Sequence, residues 1–151
     1  MPDDLYDRDI LVWSEQQAAL LRRLAAGERV GDAVDWPHVI EEVGDLGLSE
    51  LRACRSLLRQ AILHLLKVHL HPDGPVDHWL TETAGFLADA RAAFTPSMRR
   101  RLDVGDICAD AVAQLRSGGD VGPYAAVAQF TIDDLLARGA EVGALVARFG
   151  P

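Results

Sequence analysis

The sequence is poor in cysteine, has no secretory start and lacks any apolar run approaching the length of a membrane span; each shortage removes a class of explanation. Cys54 and Cys108 are the two cysteines, with no Cys-x-x-Cys pair and no histidine at zinc-finger spacing, which excludes a disulfide scaffold or a zinc module. Both fall on the apolar side of a predicted helix and read as small buried thiols rather than as a nucleophile or metal ligands. The start, Met1-Pro2-Asp3-Asp4, lacks the basic stretch and apolar segment of a signal, and a bilayer needs ~20 consecutive apolar residues. The expectation is a soluble cytoplasmic protein with no membrane contact.

Catalytic and nucleotide signatures are missing too. There is no Gly-x-Ser-x-Gly elbow, no Gly-x-x-x-x-Gly-Lys loop and no Gly-x-Gly-x-x-Gly turn after a strand. Gly118-Gly119-Asp120-Val121-Gly122-Pro123 is glycine-rich but lacks the lysine and the preceding strand, so it reads as a loop. Positive charge is in short supply: 15 Lys and Arg against 23 Asp and Glu leave a formal charge of −8. The chain as a whole is therefore repelled by nucleic acid and anionic lipid. A local basic patch is the one route around this, and Arg52, Arg55 and Arg59 form one stripe while Arg99, Arg100 and Arg101 form another. Neither is interleaved with aromatics, so pairing with the abundant acids outweighs a nucleic-acid role.

What is present is a globular composition. With 151 residues, 49% of them hydrophobic and 25% charged, the chain is long enough for one domain with its own core. Apolar residues recur at helical spacing nearly throughout. Tyr6, Ile10, Trp13, Leu20, Leu21 and Leu24 share an arc that predicts a helix over about residues 4–26, capped by Asp3 or Asp4 and closed by Gly27. Asp35-Trp36-Pro37 starts a short second helix with Trp36, Val39, Ile40, Val43 and Leu46 on its apolar face. Ser49 caps a third that runs to about His71, before Pro72.

That third helix is apolar on more than one side. Leu51, Cys54, Leu57, Leu58, Ala61, Ile62, Leu65 and Val68 form the main arc, yet Leu63, Leu66 and Leu70 fall outside it, so its C-terminal half is the expected centre of the core. A fourth helix spans roughly 76–94, Thr95-Pro96 opens a short one through Leu102, and Val104 to Leu115 make another that ends near Gly118. Pro123 to Ala128 add a further turn, and Thr131-Ile132-Asp133-Asp134 is a capping box for a last short helix to Arg138. The expected class is all-α: a single-domain bundle of about six to seven helices with a central third helix, residues 1–3 and 140–151 being loose.

Several polar residues sit where chemistry is conceivable. Asp9, Trp13 and Gln17 stack at intervals of four, placing Gln17 within the apolar arc and Asp9 at its edge. Polar groups there need partners: a neighbouring helix for Gln17, and a cap or an arginine for Asp9. Glu41, Glu42 and Asp45 share the face opposite Trp36 and Ile40, which reads as solvated because no Glu-x-x-His motif accompanies it. His64, Lys67 and His71 border the main arc of the third helix, with His69 near its other edge. His64 and His71 are almost two turns apart, too far for one small ion, so no metal or cofactor is expected.

Taken together, these segments resemble the family called domain of unknown function 29. The resemblance rests on Leu5-Tyr6 with Asp9, Trp13 and Gln17, on Ile40 to Gly47 running into Ser49-Glu50, on His64-Leu65-Leu66-Lys67 followed by Pro72 and Trp79, and on Phe130 to Leu136. It implies a compact helical bacterial protein of about this length and assigns no activity. The leading functional expectation is a non-enzymatic module that binds a protein partner or self-associates. The alternative is an enzyme or small-ligand binder with Asp9, Gln17 and Glu41 binding and His64, Lys67 and Glu42 catalysing, gathered between helices one, two and three.

Overall fold

The computed structural model describes residues 4–120, 127–139 and 141–150. Its contacts group the chain into two compact units, residues 1–49 and 50–151. The first holds α1 (Leu5–Arg8), α2 (Ile10–Ala25), a 3-10 turn (Gly31–Ala33) and the start of α3 (Trp36–Leu70).

The predicted helix over 4–26 is interrupted at Asp9, whose backbone (φ −154°, ψ 82°) closes α1 and opens α2. Its carboxylate accepts from the Val12 N–H at 3.1 Å, satisfying one of the donors that a helix start leaves orphaned. Trp13 and Gln17 are buried as the arc predicts, but Ile10, placed on the same arc, is half exposed. At the other end Gly27 takes φ +89°. Its N–H donates to Leu24 O and that of Glu28 to Arg23 O, the paired bonds of a Schellman termination.

The second and third expected helices are one. α3 runs unbroken from Trp36 to Leu70, and Ser49 lies in its interior rather than at a cap. Gly44 and Gly47 each cost a helix ~1 kcal/mol relative to alanine. They end nothing, since the glycines at positive φ among the described residues are Gly27, Gly119 and Gly139. No proline intervenes between Pro37 and Pro72, so the backbone has no cause to stop.

The second unit contains the remainder of α3, α4 (Val76–Ala93), a 3-10 helix (Pro96–Arg101), α5 (Val104–Ser117), α6 (Ile132–Leu136) and α7 (Val142–Val146). Its core is centred on the C-terminal half of α3. Cys54, Leu58, Ala61, Ile62, Leu65 and Leu66 are fully enclosed, with Leu87 and Ala90 of α4, Ile107 and Ala111 of α5 and Leu135 of α6 in the same cluster. Each buried leucine or isoleucine contributes ~1.5–3 kcal/mol through its desolvation. The expected capping box is formed: Thr131 Oγ1 accepts from the Asp134 N–H while the Asp134 carboxylate accepts from the Thr131 N–H.

Two expectations change near the C-terminus. Of Pro123 to Ala128, residues 123–126 lie outside the described residues, and Val127–Ala128 are extended, pairing antiparallel with Phe149–Gly150. The stretch expected to be loose from 140 onward instead forms α7, and Leu145 and Phe149 join the core. Phe149 meets Phe130 edge-on with ring centroids 5.3 Å apart, an apolar anchor that the glycines around it conceal in the sequence. Residues 1–3, 140 and 151 are outside the described residues. The molecule is all-α apart from that two-residue pairing, and among the described residues no helix is long and apolar enough to cross a membrane.

Candidate functional site

Polar side chains converge in the first unit around Asp35, at the start of α3. Its Oδ2 accepts from the Trp13 indole N–H at 3.0 Å and from His38 Nδ1 at 2.7 Å. Its backbone N–H donates to Gln17 Oε1 at 2.8 Å. Tyr6 from α1 stacks on His38 with centroids 4.0 Å apart and planes 13° from parallel, and meets Trp13 edge-on at 5.0 Å. The Tyr6 hydroxyl donates to Glu42 Oε1 at 2.5 Å. Helical spacing explains the assembly: Trp13 and Gln17 are one turn apart on α2, as are Asp35, just before α3, and His38 in its first turn.

These contacts shift the protonation equilibria. The hydrogen bond from His38, then that from Trp13, holds the Asp35 carboxyl below the usual carboxylate range. The same bond to Asp35 raises His38 above the ordinary imidazole value, assisted by the charges of Asp35, Asp4 and Glu41 against some loss of hydration. The hydrogen bond to Glu42 pushes Tyr6 up to about 12, with burial and the charges of Glu42, Glu41 and Asp45 adding to it. The result is an aspartate–histidine dyad in a negative field. Beside it a cleft of about 460 Å³ is bordered by α1, Trp13, Gln17 and the 31–35 turn.

The other candidates lie in two places. Asp9 caps α2, Glu42 holds Tyr6 and Glu41 is exposed, all in the first unit. His64 and Lys67 belong to the second, where each has its own partners. His64 is buried; Nδ1 donates to the Gln60 carbonyl at 2.9 Å and Nε2 lies 2.6 Å from Glu82 Oε2, whose other oxygen is 3.5 Å from His78. Lys67, the only lysine in the sequence, lies 5.8 Å from the Trp79 ring centroid, a cation–π distance. His71 bonds Asp120 at 2.8 Å and His69 packs against Phe149.

Among the basic residues, Arg55 pairs with Asp110 at 2.6 Å, and Arg99 pairs with Asp133 and lies over Phe94. Arg59 Nε is buried without a hydrogen-bond partner among the described residues, while Arg52, Arg100 and Arg101 are exposed. Cys54 and Cys108 are buried free thiols, and burial raises both above the ordinary thiol range. Among the described residues no three histidine, cysteine or carboxylate side chains gather as a metal group.

Sequence reasoning missed the Asp35–His38 dyad and Tyr6. A signal was available: Asp-x-x-His at a helix start puts both side chains on one side of the first turn. Asp35 reads first as a cap, however, and nothing local reveals that Tyr6 and Trp13 fold back onto it.

Comparisons with known proteins agree with this architecture. The crystal structure of an alpha-helical protein of unknown function from Rhodospirillum rubrum is similar, with a TM-score of 0.67 and 32% sequence identity over 97% of this chain and 98% of that one. Among curated proteins none matches. The model of the family described as Domain of unknown function DUF29 matches residues 5–139, which include α1 to α6 and every residue of the Asp35 cluster. The chain belongs to that family.

Proposed function

We propose that this protein is a non-enzymatic helical module that associates with a second copy of itself through the first part of α3. The observation that carries the reading is a bare apolar stripe. Trp36, Ile40, Val43 and Leu46 are 42%, 67%, 70% and 66% exposed, though helical spacing puts them on one face. Ile10, Leu11 and Val12 at the start of α2 are exposed as well. The four residues of α3 offer on the order of 500 Å² of apolar side chain, comparable with the ~500 Å² per partner of the smallest stable interfaces and with the largest patch of an ordinary monomer.

A second copy is the occupant that the stripe fits. It carries no charge between Trp36 and Leu46, because Glu41 and Asp45 fall on the opposite face and Glu42, which flanks Leu46, is held by the Tyr6 hydroxyl. Two copies crossing antiparallel about Val43 would set Ile40 against the partner's Leu46 without opposing like charges, the self-complementary arrangement that two-fold symmetry demands. Gly47 lies in the stripe and Gly44 at its edge, and a Cβ on either would meet nothing within 4 Å, leaving room for close helix approach.

Sedimentation equilibrium from micromolar to millimolar protein tests this. The expected result is a concentration-dependent monomer–dimer equilibrium that Val43→Asp weakens at least about tenfold without loss of helical signal, Val43 being exposed. A strictly monomeric species, or association indifferent to that substitution, overturns it. A second reading, a small-ligand binder, is favoured by one observation, the cleft bordered by the buried Gln17.

A further inference from the structure

We infer that the second unit carries a binding site for a phosphate dianion, free or on a small organic body, in a cleft where the end of α4, the 3-10 helix and α6 meet. Arg91, Phe94, Arg99, Asp133, Leu136 and Arg138 border it. Three guanidiniums thus line the cleft with one carboxylate, Asp133, which is paired with Arg99. Arg91 and Arg138 have no carboxylate partner among the described residues. That is the reverse of what composition supplies. With 23 Asp and Glu to 15 Lys and Arg, carboxylates are the groups expected to go unpaired. Cations gathered without them repel one another until an anion arrives.

Two of the three guanidiniums are oriented before any ligand binds. Arg91 is half-buried on α4 and donates to the Ala137 carbonyl, where α6 ends, at 3.4 Å. Arg99 lies over the Phe94 ring, 5.6 Å from its centroid, and is held from the other side by Asp133. Each anchor engages only part of a guanidinium's fan of N–H donors, and a side chain already ordered costs a ligand less entropy to use. Forked donors from three elements lining one cleft match the several oxygens of a phosphate, which guanidiniums take by charge-assisted, often bidentate bonds. The cleft volume, about 320 Å³, is at the lower end of the ~300–1,000 Å³ of small-molecule sites, enough for a phosphate with a small body against Phe94 and Leu136. Charge decides against a polyanion: the net −8 of the chain repels a nucleic-acid backbone, whereas a small ion in the cleft feels chiefly the charges within ~10 Å.

Calorimetric titration of the full chain with phenyl phosphate and with inorganic phosphate near pH 8, where both are mainly dianions, tests the assignment, with benzoate as the planar monoanion control. The better of the two phosphates binds at least about tenfold more tightly than benzoate. Phenyl phosphate as the tighter ligand supports a monoester, and inorganic phosphate as the tighter one supports the free ion. Arg138→Gln, at an exposed position, and Arg91→Gln each weaken binding by about tenfold. Arg55→Gln, which removes the same charge at the Asp110 pair, leaves it unchanged. No binding up to about 10 mM, equal binding of benzoate, unchanged affinity in both cleft variants, or an equal loss in Arg55→Gln would each overturn the inference. Repeating the titration with Val43→Asp, whose substitution lies in the first unit, gives the same affinity, so a failure here is separable from a failure of self-association.

Discussion

The two halves of α3 present the same apolar series and meet opposite fates. In the second unit Cys54, Leu58, Ala61 and Leu65, spaced by three and four, are fully buried. In the first, Ile40, Val43 and Leu46, at the same kind of spacing, are about two-thirds exposed. Composition does not separate them; what differs is whether the chain supplies a cover. Leu87 and Ala90 of α4 and Ile107 and Ala111 of α5 share a core with the C-terminal half, whereas in the first unit Trp13 and Gln17 meet α3 near Asp35 and His38, on a different face from the stripe. An amphipathic pattern states that a face is apolar and does not name what covers it.

The comparison can be broken at four points. Leu58→Ala should lower unfolding free energy by about 2–5 kcal/mol in urea titration, through lost burial and the cavity left behind, while Ile40→Ala should change it by less than about 0.5 kcal/mol. Equal effects would mean that the stripe is covered within the chain. Gln17→Ala should cost about 1–3 kcal/mol, because the Asp35 N–H loses its acceptor beside a buried side chain.

Gly44→Ala and Gly47→Ala should each stabilise the dilute protein by about 0.5–1 kcal/mol, since both are helical with open space where the methyl group would go. If the stripe pairs with a second copy, the same changes weaken association. The pH effect should be the smallest, because the side chains of His38 and Asp35 keep 29% and 32% of their surface in solvent, which partly screens the pair. Asp35 is depressed in the fold, so its contribution is in place above ~pH 4 and disappears as pH falls through the lower folded value. His38 is raised, so its contribution is complete below ~pH 6.5 and lost as pH rises through the folded value. Thermal melts from acid to alkaline pH should show a stability maximum between those limits that His38→Gln flattens on its alkaline side.

Much of this was legible without coordinates. The helical class, the apolar richness of α3 after Leu51, the ends of α2 and α5 at Gly27 and Gly119 and the capping box at Thr131 all follow from interactions within a few residues. Asp9 and Gln17 were recognisable as polar groups that needed partners, and the structure supplies Val12 and Asp35. Which groups would meet was not legible. Asp35, His38, Tyr6 and Glu42 come together through contacts spanning up to 36 residues, and the join at Ser49 misled because a residue type that favours caps also fits the interior of a long helix.

The sequence by itself determined where helices form, because periodicity, caps and left-handed glycines act over one or two turns. It also determined that α3 carries an apolar stripe along most of its length. The tertiary structure alone decided which part of that stripe is buried, that Phe149 closes back onto Phe130, and that an aspartate–histidine dyad stands beside an open acidic cleft. The physical reason is range: local hydrogen bonding is written in neighbouring residues, whereas burial depends on which distant surface arrives, and that is settled by packing the whole chain at once.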